Sequence, residues 1–202
     1  MKTSSYLSSV RGALPAGDRS LFDRALGGDA LAARRLMIVA PFRTRGHIAC
    51  LAYTLKTANP AYREILQAAW APRTRHLILD FWPNAMIRRM FVRGDFSIPA
   101  FAGPLTVFQS APCGVPARKA AARLCWTLSI EHAARHSGRR PAKILQATIE
   151  ASDVIYWGNS HGEQVVISRR PMKGVVVLPA PPPRSASVVE GKAKINLAAL
   201  AV

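Results

Sequence analysis

Leu105-Thr106-Val107-Phe108-Gln109, Leu124-Cys125-Trp126-Thr127 and Gly162-Glu163-Gln164-Val165-Val166-Ile167, all within Pro104 to Ser168, are the runs whose reading decides the fold. Each is short, rich in β-branched and aromatic residues, and bounded by Pro, Gly or Ser, which is the pattern of strands. Between the second and third runs, Ser129 to His136 reads as a helix and Lys143 to Ile149 as a further strand. Strands interleaved with short helices predict an α+β arrangement.

Working outward, Val175-Val176-Val177-Leu178 is one more strand-like run, and the prolines at 179, 181, 182 and 183 then bar sheet pairing. The spacing therefore ends the β-rich part at 179 and leaves 180–202 as a Pro-rich tail. On the N-terminal side, residues 1–16 mix Ser, Gly and Pro and read as a flexible lead-in. Residues 17–97 read as a helical layer. Asp18 and Asp29 stand as caps before apolar-periodic runs, Gly27-Gly28 ends the first run and Pro41 the second. Ile48 to Thr57 is apolar without a clear period. Pro60 to Trp70 carries Tyr62, Ile65, Leu66 and Ala69 on one helical face, and Pro83 opens a helix running to Gly94. On that helix Arg88, Arg89 and Arg93 suit either a phosphate grip or a solvated face. The β-rich part is 98–179.

The chain has 202 residues, half of them apolar, which is enough to bury a sizeable core. Its formal charge of +17 comes from 28 Lys and Arg against 11 Asp and Glu, and it is spread over both halves of the sequence. Such a chain is drawn to polyanions, so nucleic acid, or an acidic or nucleic-acid-containing complex, is an expected partner. Biased codon usage is the competing source of the same charge. Three widely spaced cysteines, Cys50, Cys113 and Cys125, suit reduced thiols, and no long apolar run or signal-peptide core is present. These features predict a soluble cytoplasmic protein without a membrane partner. His132 and His136 lie four apart but lack a further ligand at matching spacing, so no metal is expected. Cys125 reads as a buried thiol, and no phosphate-cradling Gly-rich loop appears.

Val107-Phe108-Gln109-Ser110, Cys125-Trp126-Thr127-Leu128 and His161-Gly162-Glu163-Gln164-Val165-Val166-Ile167 together resemble the Arg-Ser-Glu class of ADP-ribosyltransferases. In that class an Arg, a Ser/Thr segment and a Glu from three strands meet around NAD. The resemblance implies a split β-sandwich behind the α-helical N-terminal layer, and NAD as cofactor if the chain is active. It implies Glu163 as the catalytic acid, Trp126 and Thr127 lining the nicotinamide pocket, and Gln109 with Ser110 holding the ribose or phosphate. The resemblance further implies a role like that of small bacterial and phage accessory proteins, some of which, an anti-CRISPR among them, modify host or rival macromolecules. The departures matter chemically. Gln109 stands where Arg is expected and cannot make its ionic fork to phosphate. Val165 takes the catalytic position if Glu163 is the first acid of the Glu-x-Glu pair, whereas a one-residue deletion makes Glu163 that acid. A catalytically degenerate binding protein that engages nucleic acid, or an inhibitor on the same scaffold, therefore stands beside the enzyme.

Overall fold

The computed structural model describes residues 3–71, 78–79, 82–136, 142–160 and 163–179, and of 136, 159, 160 and 163 the backbone alone. Among the described residues, the helices that come first are α1 (Thr3–Gly12), α2 (Arg19–Leu26), α3 (Ala30–Val39), α4 (Phe42–Thr54), α5 (Asn59–Ala69) and α6 (Asn84–Gly94), and Ile78 and Leu79 are also helical. Then follow β1 (Leu105–Pro112), α7 (Ala117–Ala121), β2 (Cys125–Thr127), α8 (Ile130–His136), β3 (Ala142–Ile149), β4 (Val154–Ser160), β5 (Glu163–Ser168) and β6 (Val176–Leu178). The chain is thus mixed α+β, and its six strands pair antiparallel in one sheet of order β4-β5-β2-β1-β3-β6. The prolines past Pro179 and the tail 180–202 lie outside the described residues, as do Leu77 and Phe81.

Local chemistry explains most helix ends. Asp29 caps α3 as expected, accepting from the Ala32 N–H at 2.9 Å. Asp18 makes no side-chain cap, because a 3-10 turn at Ala16–Asp18 already holds it in a helical conformation. Gly28, at φ +106, takes the left-handed step that separates α2 from α3. The apolar stretch Ile48 to Thr57 falls mostly within α4, which begins earlier, after Pro41. The expected flexible lead-in is corrected at Thr3–Gly12, which forms α1. Tyr6, Leu7 and Val10 give it an apolar face, and Tyr6 Oη lies 2.6 Å from His47 Nδ1.

Two cores flank the sheet. The larger joins the helices, where Phe22, Leu36, Ile48, Tyr62, Ile65 and Phe91 are fully buried, to Leu124, Ile155, Tyr156 and Ile167 of the β-rich part. Phe91, Phe96 and Tyr156 pack ring on ring at that junction, with centroids 4.8 to 5.7 Å apart. The second core, on the other side, contains Val107, Trp126, Leu145, Ala147 and Val166.

Arginine supplies the polar half of these joints. The last carbonyls of a helix have no intrahelical donor, and four guanidiniums reach carbonyls of this kind. Arg45 donates to Ile38 O in the last turn of α3 and to Ala40 O just past it, and Arg93 to Ala52 O and Tyr53 O in the last turn of α4 and to Thr57 O beyond it. Arg63 donates to Gly94 O at the end of α6. Arg88 is 9% exposed and donates from α6 to Ser168 O at 3.1 Å, with longer contacts to Ala122 O and Arg123 O at 3.3 and 3.5 Å. It therefore bonds the end of β5 and the end of α7 at once.

Arg88→Ala should lower unfolding free energy by about 2–4 kcal/mol in urea titration, since the charge-assisted bonds that join α6 to Ser168 O and Ala122 O are lost. Arg88→Lys should recover little of it, because an ammonium lacks the planar fork. Arg89→Ala, at an exposed position on the same helix, should stay within about 0.5 kcal/mol of the parent.

Acid should weaken the helical layer. Hydrogen bonds from Arg11 hold the Asp23 carboxyl below its usual range, and the Ala32 N–H, then Arg24, do the same for Asp29. Their stabilisation is present above the ordinary carboxylate pKa of about 4 and is lost as pH falls through the lower folded values. The thermal midpoint should be flat between about pH 7 and 5 and fall below about 4. Asp23→Asn should blunt that fall, and salt should reduce it because both pairs are exposed.

Candidate functional site

Strands β1, β2 and β5, which carry the three motifs, are neighbours. Phe108 stands opposite Thr127, and Thr127 opposite Val165. Side chains alternate between the two faces of a sheet, and the cores identify the faces. Gln109 lies between Val107 and Ala111, both in the core that holds Trp126. Thr127 and Ser110 alternate to the opposite side, the side of Ile167 and the helices. The predicted residues are thus brought close in sequence register but divided between faces, Gln109 with Trp126 and Ser110 with Thr127.

Gln109 Nε2 donates to Cys125 O at 2.6 Å, while its Oε1 is buried without a partner among the described residues. Trp126 is 2% exposed and directs its Nε1 toward Arg123 O at 3.4 Å. Thr127 is 5% exposed, and its Oγ1 accepts from the Ser129 N–H at 3.3 Å. Ser129 in turn caps α8, its Oγ accepting from the His132 N–H at 3.1 Å. Val165 sits 7% exposed in register with Thr127. Glu163 opens β5 opposite Ser160 of β4, beyond the last residue of β2, and its side chain lies outside the described residues.

The three arginines of α6 part ways. Arg88 is buried in the bonds already described. Arg93 stacks over Tyr62, its Cζ 4.4 Å from the ring centroid, while bonding three carbonyls. Only Arg89 of the three is exposed with no side-chain hydrogen bond or ion pair among the described residues. Helical periodicity held a signal for this, because Arg88 lies four residues after Asn84 and three before Phe91, on a buried face. Asn84 Nδ2 bonds the same Ala122 carbonyl at 3.0 Å.

A cleft that the sequence reading missed opens between α7 and the chain after β5. About 470 Å3 in volume, it is lined by Ala117, Arg118, Ala121, Ala122, Pro171, Met172, Gly174 and Val175. Arg88 bonds the base of both walls, at Ala122 and Ser168. Ser168 also turns the second wall: its Oγ accepts from the Arg170 N–H at 3.1 Å and donates to Arg170 O, and the Arg169 N–H bonds Asp153 O at 2.8 Å. Arg118 lines the cleft, and the same two segments carry Lys119, Arg169, Arg170 and Lys173 beside it; all five are exposed and have no side-chain hydrogen bond or ion pair among the described residues. No acid stands in 117–123 or 169–175. The other exposed cations of this kind among the described residues, Arg35, Arg43, Lys56, Arg89 and Arg135, are spread on or beside α3, α4, α6 and α8.

Among the described residues, no group of three or more His, Cys, Asp or Glu could hold a metal ion, and no helix is long and apolar enough to cross a membrane. In comparisons with known proteins, no family model, no curated protein and no solved structure matches this chain.

The cysteines separate by environment. Burial pushes the Cys50 thiol well up from its usual value, whereas Cys113 is exposed. A thiol reagent at pH 8 should modify Cys113 in the native protein and reach Cys50 only on unfolding. Fast native labelling of Cys50 would contradict the packing of α4.

Proposed function

We propose that this chain is a binding protein for polyanions, nucleic acid foremost, which it engages through the cations of α7 and of Arg169–Lys173. The observation that carries this is the division of its basic residues. In the helical layer Arg11, Arg24, Arg34 and Arg63 are paired with acids, and Arg45, Arg63, Arg88 and Arg93 serve backbone carbonyls. The two segments that form the cleft, 117–123 and 169–175, carry five unengaged cations and no acid, with Arg118 in the cleft lining itself. A surface of that kind raises local phosphate concentration and releases counterions on binding.

A second reading, an ADP-ribosyltransferase-like scaffold, is favoured by the adjacency of β1, β2 and β5. The placement of Gln109 and Trp126 on the face opposite Thr127 weighs against a working NAD site, as does Val165 in register with Thr127. NAD hydrolysis that disappears in Glu163→Gln would make this the primary reading.

Binding of a labelled mixed-sequence oligonucleotide, followed by anisotropy, should weaken with added salt. For three to five phosphates contacted, the log–log slope is about −2 to −4. Reversing Arg118 and Arg170 together to Glu should flatten that slope by about 1 to 2, and reversing Arg35 and Arg43 should leave it unchanged. Binding indifferent to salt, or lost equally in both pairs of variants, would overturn the proposal.

A further inference from the structure

Resting on the polyanion reading, we infer that the cleft between α7 and Arg169–Val175 is a seat for single-stranded nucleic acid, a base lying on its floor and phosphates on its rim. The cleft has two chemistries. Ala121, Met172 and Val175 give it an apolar floor, and Arg118 stands in its wall with Lys119, Arg169, Arg170 and Lys173 on the same two segments. Inorganic polyphosphate would use the cations and leave the floor wet. A duplex offers phosphates but keeps its base faces stacked inside. A single strand presents a phosphate and an unstacked π face within one nucleotide, which matches both.

The volume agrees with this occupant. About 470 Å3 falls in the range of small-molecule sites, enough for a base and its sugar. Small residues make the room, since Ala117, Ala122 and Gly174 put little or no side chain into the opening. Gly174 also holds φ +60, a conformation that larger residues rarely adopt. The Met172 thioether is polarisable and can meet a base as it meets aromatic rings elsewhere. Among the described residues no aromatic lines the cleft, so selectivity among the bases is expected to be weak.

The test titrates the full chain into fluorescein-labelled dodecameric oligothymidylate, oligouridylate and a duplex of the same length, with polyphosphate as competitor. Single strands should bind about fivefold more tightly than the duplex, from burial of one base face against the apolar floor. Ala122→Leu narrows the cleft at an exposed position without changing charge, and it should abolish that preference while duplex affinity stays constant. Ala117→Leu serves the same purpose if the first variant fails to fold. Equal affinity for strand and duplex, or polyphosphate competing as well as a single strand, would overturn the inference and leave the polyanion reading standing. No binding of any of the three at low salt would overturn both.

Discussion

The Arg88 guanidinium, buried between the last helix of the helical layer and the sheet, is the constraint on which the rest of the structure depends. Burial lowers its pKa from the ordinary arginine value, because the charged form loses water. Carbonyl dipoles replace that water, with Ser168 O at the end of β5 and Ala122 O at the end of α7. The bonds join two segments more than forty residues apart in sequence to one helix position. Those segments are also the walls of the basic cleft, so one side chain links helical packing to the surface where binding is proposed. Arg88 acts there as a positioning residue, while Arg118 and Arg170 meet the solvent.

A formal charge of +17 overstates what this protein can offer a partner. Several arginines of the helical layer are spent on helix ends, where an always-charged, five-donor fork satisfies orphan carbonyls better than a lysine could. Others sit in exposed ion pairs with Asp23, Asp29, Glu64 and Asp95, which contribute little to stability but cancel long-range field. What remains concentrated is the cluster on the two segments that form the cleft. Charge counted along the chain and charge available on the surface are thus different quantities.

Much of the fold was legible because it is local. The Asp29 cap, the apolar face from Tyr62 to Ala69 and the β-branched runs of β1, β2 and β5 each carry their signal within a few residues. Helix α1 was hidden by serines around Tyr6 and Val10, whose burial depends on α4 and its His47. Strand β4 was not anticipated: Gly158-Asn159 breaks its apolar run, and its pairing with β5 defines it. The candidate site was less legible, since a shift of one residue moves a strand side chain to the other face. Gln109 and Thr127 fit one motif in a line of sequence and lie on opposite sides of a sheet. The cleft left no sequence motif at all, because its walls are joined through Arg88, eighty residues before Ser168.

On the proposed reading, the cations left unengaged by folding define the binding surface. Photo-crosslinking a single strand bearing 5-iodouridine to the full chain, with the adducts mapped by mass spectrometry, tests it most directly. Adducts confined to peptides spanning 117–123 and 169–175, and lost at high salt, are the predicted result. Adducts centred on α3, α4 or α6, or spread evenly over the exposed arginines, would contradict it.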